Sequence, residues 1–229
     1  MSTHRRLSLF WAVFFTLGSL LLILYAVGAA PGLFQAIGLR TPFPEMTTCH
    51  PFIMGFIKLF LLGTFGELLK FVIARRSLAL DRVLQRAIVW GVYGLWFTLA
   101  FPAFSFAVDG LVDNDLWPAD IPLISPALWL AFSKSLWINL LGMYALGMFV
   151  SHEYVNHLIA SGWRSWGFGA FAEQAQKQFI LAFLPRTLWF WIPAHTFTFA
   201  MPPVWRVFIA AILAVALGFF LSVGRRVGK

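Results

Sequence analysis

The chain has 229 residues, of which 60% are hydrophobic and only 11% charged, with a mean hydropathy of +0.81 and a formal net charge of +8. An ordinary globular domain is about 45–50% apolar and about 25% charged, so this chain has too little polar surface to coat a water-soluble body. A transmembrane barrel would need short alternating segments, which are lacking here. The basic excess gathers at the ends of apolar runs rather than on a face with interleaved aromatics, which argues against nucleic acid as a partner.

What remains is an all-α, polytopic transmembrane helix bundle, a single integral membrane domain with about six spans at roughly 7–29, 52–73, 87–108, 127–150, 185–201 and 205–223. The first follows a basic head, Arg5 and Arg6. Its apolar body is longer than the roughly 7–15 residues of a cleavable signal core, so it reads as a retained span. The following gap carries Arg40 and the lone Cys49, which permits neither an internal disulfide nor a thiolate metal site.

The second span contains "IKLFLLGTFGELLK", which sets Glu67 among apolar residues. Charge inside a span is costly and marks function or pairing. Lys70, three residues on, shares its helical face and can pair with it while snorkelling inward. Lys58 lies on the opposite face and is expected to snorkel outward. Gly63 and Gly66 are expected to let a second helix, or a file of water, approach the carboxylate. Facing such a file, Glu67 would gate it by taking up a proton; facing a helix, it would form a satisfied interhelical pair at a packing seam.

Arg75, Arg76, Arg82 and Arg86 follow on one side of the membrane, whereas 109–126 holds Asp109, Asp113, Asp115 and Asp120 with no base. Basic loops stay cytoplasmic, which places both termini inside. In the fourth span Lys134 lies near the outer edge and is expected to snorkel, while the deeper Asn139 is expected to bond a neighbouring helix or cavity water. "SHEYVNH" then offers His152, Glu153 and His157. A zinc-protease pattern needs histidines four apart with a glutamate after the first; these are five apart and diverge around a helix, so interfacial solvation is the expected role. Next, "FAEQAQKQFILA" aligns Phe171, Ala175 and Phe179 and pairs Glu173 with Lys177, the pattern of a helix lying in the inner interface. The fifth segment is interrupted by Pro185, Arg186, Pro193 and His195; a crossing is favoured over a re-entrant piece because it keeps the basic tail inside. Arg206 follows Trp205 at the outer boundary of the sixth.

The last third, "LPRTLWFWIPAHTFTFAMPPVWRVFIAAILAVALGFFLS", resembles the end of the Mpv-seventeen and twenty-two-kilodalton peroxisomal membrane protein family. The resemblance lies in Trp191 and Pro193, parted by Ile192 where the family has a Trp-Pro step, in a polar-aromatic stretch, in Pro202 four residues before Arg206, and in the closing Phe220-Leu221-Ser222. Upstream, His50-Pro51 with Gly66-Glu67 is similar to the family's opening helix and Gly-Asp step, and Lys134 with Asn139 stands where the family has a lysine followed by an Asp-Gln pair. The resemblance covers about 50–223 as a four-helix family-like core, with 1–49 an added N-terminal span and loop. It implies a small integral membrane protein that forms or modulates a channel for small solutes.

The resulting expectation is a channel-like or permeability-modulating protein, not an enzyme, without cofactor or metal. Glu67, Lys70, Asn139, His195 and Arg206 would face a shared interior, and Gly63 and Gly66 would serve helix packing. The bilayer is the expected partner, homo-oligomerisation an open option, and a bacterial inner membrane the favoured location, with a mitochondrial inner or peroxisomal membrane as the eukaryotic counterpart. The alternatives are a structural or assembly factor, and a membrane-embedded metalloenzyme using His152, Glu153 and His157.

Overall fold

A chain this apolar must satisfy its backbone groups internally, which helices do within one segment. The computed structural model is accordingly all-α and describes residues 3–75, 82–164, 166–169, 171–172 and 183–227. Among them the only β feature is one isolated bridge, Ile121 to Ile124. The helices are α1 (Thr3–Ala26), α2 (Pro31–Ala36), α3 (Phe43–Cys49), α4 (Pro51–Arg75), α5 (Val83–Asp113), α6 (Pro126–Leu136) and α7 (Tyr144–Ala160), then α8 (Leu184–Arg186), α9 (Ile192–Ala200) and α10 (Pro203–Val227). Proline opens α2, α4, α6 and α10, where its missing N–H is no loss. Ser125 caps α6 by accepting the Leu128 N–H at 3.4 Å.

Among the described residues three helices are long and apolar enough to cross a membrane, Leu7–Ala26, Pro51–Ile73 and Val83–Asp113, and Pro203–Leu217 is a shorter apolar stretch. Large apolar side chains stand exposed along them, among them Phe10, Leu17, Ile53, Trp96 and Phe106. That fits a membrane-embedded protein, since water would not tolerate so much exposed hydrocarbon.

The expected fourth segment, 127–150, is not one helix. After α6 the backbone widens into a π turn, Trp137–Leu141, and breaks at Gly142 and at Met143, whose φ is 55°, before α7 begins. A Cβ on Gly142 would stand 2.2 Å from the Phe104 ring and 2.8 Å from the Trp137 carbonyl oxygen, so a side chain there would have to displace its surroundings. The fifth segment is helical from Leu184 to Ala200 through a second π turn, Thr187–Trp191, just ahead of Pro193. Proline leaves one helical acceptor without its donor, and a widened turn is a usual accommodation. The interfacial helix expected around Ala175 and Phe179, with its Glu173–Lys177 pair, lies outside the described residues, as do Arg76 and Asp81.

The chain divides into two compact units, Met1–Thr98 with Val207–Lys229, and Leu99–Arg206. In the first, α1 packs on α4, and Phe15, Leu68, Val83 and Ala87 form a core with Trp11, Phe60, Leu61 and Phe71 against it. Glycines bring α4 and α5 together: a Cβ on Gly94 would stand 2.1 Å from the Gly55 carbonyl oxygen, and one on Gly63 would stand 2.7 Å from the Trp90 ring. Close approach through glycine is how apolar helices associate when lipid competes for their side chains. α3 caps this unit, with Phe43 edge-on to Tyr25 and Phe208 and the Tyr25 hydroxyl donating to the Thr41 carbonyl. In the second unit α6 packs on α9.

Candidate functional site: two buried polar clusters

The first cluster forms around Glu67. Arg86, in the first turn of α5, places Nη1 2.5 Å from Oε1, and Trp90 Nε1, one turn on, donates to Oε2 at 3.0 Å. Side-chain exposure is 17% for Glu67 and 14% for Arg86, so this charge-assisted pair is largely shielded from water. Gly63 gives the Trp90 ring the room from which its N–H reaches the carboxylate. Gly66 serves a different neighbour, Val215 of α10, whose Cα would lie 3.2 Å from an added Cβ.

Glu67 thus forms an interhelical pair, while the pairing with Lys70 on its own helix is corrected: Lys70 is exposed. A guanidinium on the facing helix offers a shorter, better-shielded contact than a flexible ammonium on the same helix. Lys58 is corrected too. Its side chain is 1% exposed, donating to Thr47 Oγ1 at 3.0 Å with the ammonium 4.7 Å from the centre of the Phe43 ring. It reaches toward the α3 end of its helix and is covered there by α3.

The second cluster is a seam between α6 with its π turn and α9 with its own. Asn139 is 2% and His195 8% exposed. The Asn139 amide lies 2.9–3.1 Å from His195 Nδ1, and its Nδ2 also donates to the Ser135 carbonyl at 2.8 Å and toward the Trp191 carbonyl at 3.5 Å. Ser135 Oγ donates across the seam to the Ile192 carbonyl at 2.7 Å. Trp191 and Phe101 pack on the imidazole, at 5.1 and 5.6 Å between ring centres. Thr187 and Thr198 are fully buried on the same segment.

Lys134 lies beside the seam, also buried, with Nζ 2.8 Å from Asp109 Oδ1, so the expected outward snorkelling gives way to a salt bridge. Trp117 donates to the neighbouring Ser133 at 2.9 Å. Arg206 is half-buried over the Phe199 ring and donates to the Met201 and Phe199 carbonyls at 3.3 and 3.4 Å. It satisfies carbonyls that the end of α9 leaves unpaired.

Of the five expected interior residues, the structure joins Asn139 with His195, puts Glu67 with Arg86 and Trp90, sets Arg206 on helix-end carbonyls and leaves Lys70 exposed. His152 Nδ1 lies 3.8 Å from Glu153 and 3.2 Å from Asn156 Nδ2, while the His157 ring packs near Phe171. Among the described residues no three His, Cys, Asp or Glu side chains come together in a way that could hold a metal ion. Sequence reasoning missed Arg86, Trp90, Ser135 and Asp109 as partners. The available signal was spacing within elements: Ser135 is four residues before Asn139 and Arg86 four before Trp90, so each pair shares a helical face.

The fold and the two clusters define a class: an all-α protein with apolar helices suited to a bilayer and polar groups buried between them. No protein-family model, curated protein or solved structure matches the chain.

Proposed function

We propose that this is a multi-pass membrane protein that forms or modulates a path for small solutes, non-enzymatic, and a distant relative of the Mpv-seventeen and twenty-two-kilodalton peroxisomal family. In this reading the chain crosses about six times, with α6 to α10 supplying the later crossings, both termini cytoplasmic, and a bacterial inner membrane as its home. The observation that carries it is the seam: Ser135, Asn139 and His195 are buried between apolar helices, and both facing segments of the contact run through π turns. Polar groups inside a membrane are expensive and concentrate where solutes or ions move, and π turns recur at functional sites because they release backbone groups from the regular ladder. The test is osmotic swelling and conductance of vesicles holding the purified chain. Entry of solute above the protein-free rate, reduced by Asn139→Leu, is expected; no permeability to any solute or ion ends the reading.

A second reading, a structural or assembly factor, is supported by the Glu67 cluster, where the acid is already held by Arg86 and Trp90 beside glycine contacts. Under it Asn139→Leu disturbs only stability and binding of partner proteins.

A further inference from the structure

Three threonines on the Thr187–Ala200 segment differ in how they use their hydroxyls. Thr196 and Thr198 each return the proton to the carbonyl four residues back, Ile192 at 2.8 Å and Ala194 at 2.9 Å, the ordinary habit of a helical threonine. Thr187 does not. Its residue is 0% exposed, and its Oγ1 has no hydrogen-bond partner among the described residues. A buried hydroxyl without a partner is costly and calls for a reason.

Its position suggests one. Thr187 opens the second π turn, four residues before Trp191, whose carbonyl faces Asn139, and eight before His195. The two π turns pack on each other. Thr187 thus adds a buried hydroxyl to the segment that carries Trp191 and His195, one helical turn before Trp191. Neither 135–141 nor 187–200 contains Asp, Glu, Lys or Arg; the charges next to them are Lys134, held by Asp109, and the half-buried Arg186 just before Thr187. An ion entering would exchange its hydration for neutral dipoles at heavy cost. A neutral molecule would exchange hydrogen bonds with water for hydrogen bonds with hydroxyl, amide and imidazole.

We infer that the seam admits small uncharged molecules that both donate and accept hydrogen bonds, of the polyol and urea type, and rejects ions, with the Thr187 hydroxyl as one of the groups they engage. This rests on the permeability reading above and narrows it to a solute class and a residue.

The experiment uses the full chain in phosphatidylcholine vesicles, with glycerol and urea entry followed by stopped-flow light scattering and KCl conductance measured in planar bilayers. Glycerol and urea entry well above the protein-free rate, without KCl conductance, is expected. Thr187→Val should lower entry about tenfold, the worth of one hydrogen bond to an otherwise unpaired group, while helicity and thermal midpoint hold or rise because a buried unpaired hydroxyl has gone. Thr187→Ser should retain entry. If the valine variant does not fold, Thr187→Ala gives the same comparison. KCl conductance alongside solute entry would overturn the solute class and leave the pathway standing. Unchanged entry in both Thr187→Val and Thr187→Ala would overturn the assignment of the hydroxyl. Absence of entry and of conductance would overturn the permeability reading, and this inference with it.

Discussion

The cluster around Glu67 and the cluster around Asn139 bury polar groups by opposite means. Around Glu67 opposite charges face each other at 2.5 Å, an indole completes the acid's coordination, and glycines press the helices together. Around Asn139 no opposite charges meet: an amide, a hydroxyl, an imidazole and backbone carbonyls share hydrogen bonds across π turns, and one nearby hydroxyl is left over. An ion pair in low dielectric is strong and intolerant of losing one member. A neutral network can exchange one partner for another at modest cost. The first arrangement suits a lock; under the proposed function, the second is where a passing molecule would borrow contacts.

The largest effect should come from the tightest contact in the first region. Gly94→Val would force a Cβ to within 2.1 Å of the Gly55 carbonyl oxygen, backbone that cannot move aside. Loss of folded protein on size-exclusion chromatography in detergent is expected, an effect above about 4 kcal/mol; a monodisperse variant would show that glycine packing does not set the α4–α5 contact. Next, Arg86→Met strands the Glu67 carboxylate and should cost roughly 3 kcal/mol, discounted slightly for partial exposure, whereas Glu67→Met with Arg86→Met should recover most of it. Equal destabilisation of single and double variants by thermal denaturation would mean that the pair does not act as a lock.

In the second region, Asn139→Leu removes the amide that joins Ser135, Trp191 and His195 and should cost about 2 kcal/mol. Its destabilisation should fall short of that of Arg86→Met. A reversed order would break the contrast between lock and network. Smallest is Lys70→Met, which touches an exposed side chain and should stay within about 0.5 kcal/mol. A larger loss would restore the same-helix pairing with Glu67.

Much of the helix content was legible because it depends on local hydrophobic length. The second segment, expected at 52–73, appears as Pro51–Arg75, and the third, expected at 87–108, as Val83–Asp113. The break at Gly142–Met143 was not legible, since residues on both sides are apolar and hydropathy does not distinguish a helix from two helices around a π turn. Glu67 stood out by its charge, yet its partner did not: Lys70 was near in sequence, Arg86 near in space. Asn139 and His195 were each visible as isolated polar residues, but their meeting, 56 residues apart in sequence, was not.

The amino-acid sequence by itself determined that this chain is helical and suited to a bilayer, because apolar length and the demand for internal backbone hydrogen bonds act within single segments. Only the tertiary structure decided which polar group meets which. That choice depends on distances of a few ångströms between segments far apart along the chain, and hydrophobic periodicity carries no record of them.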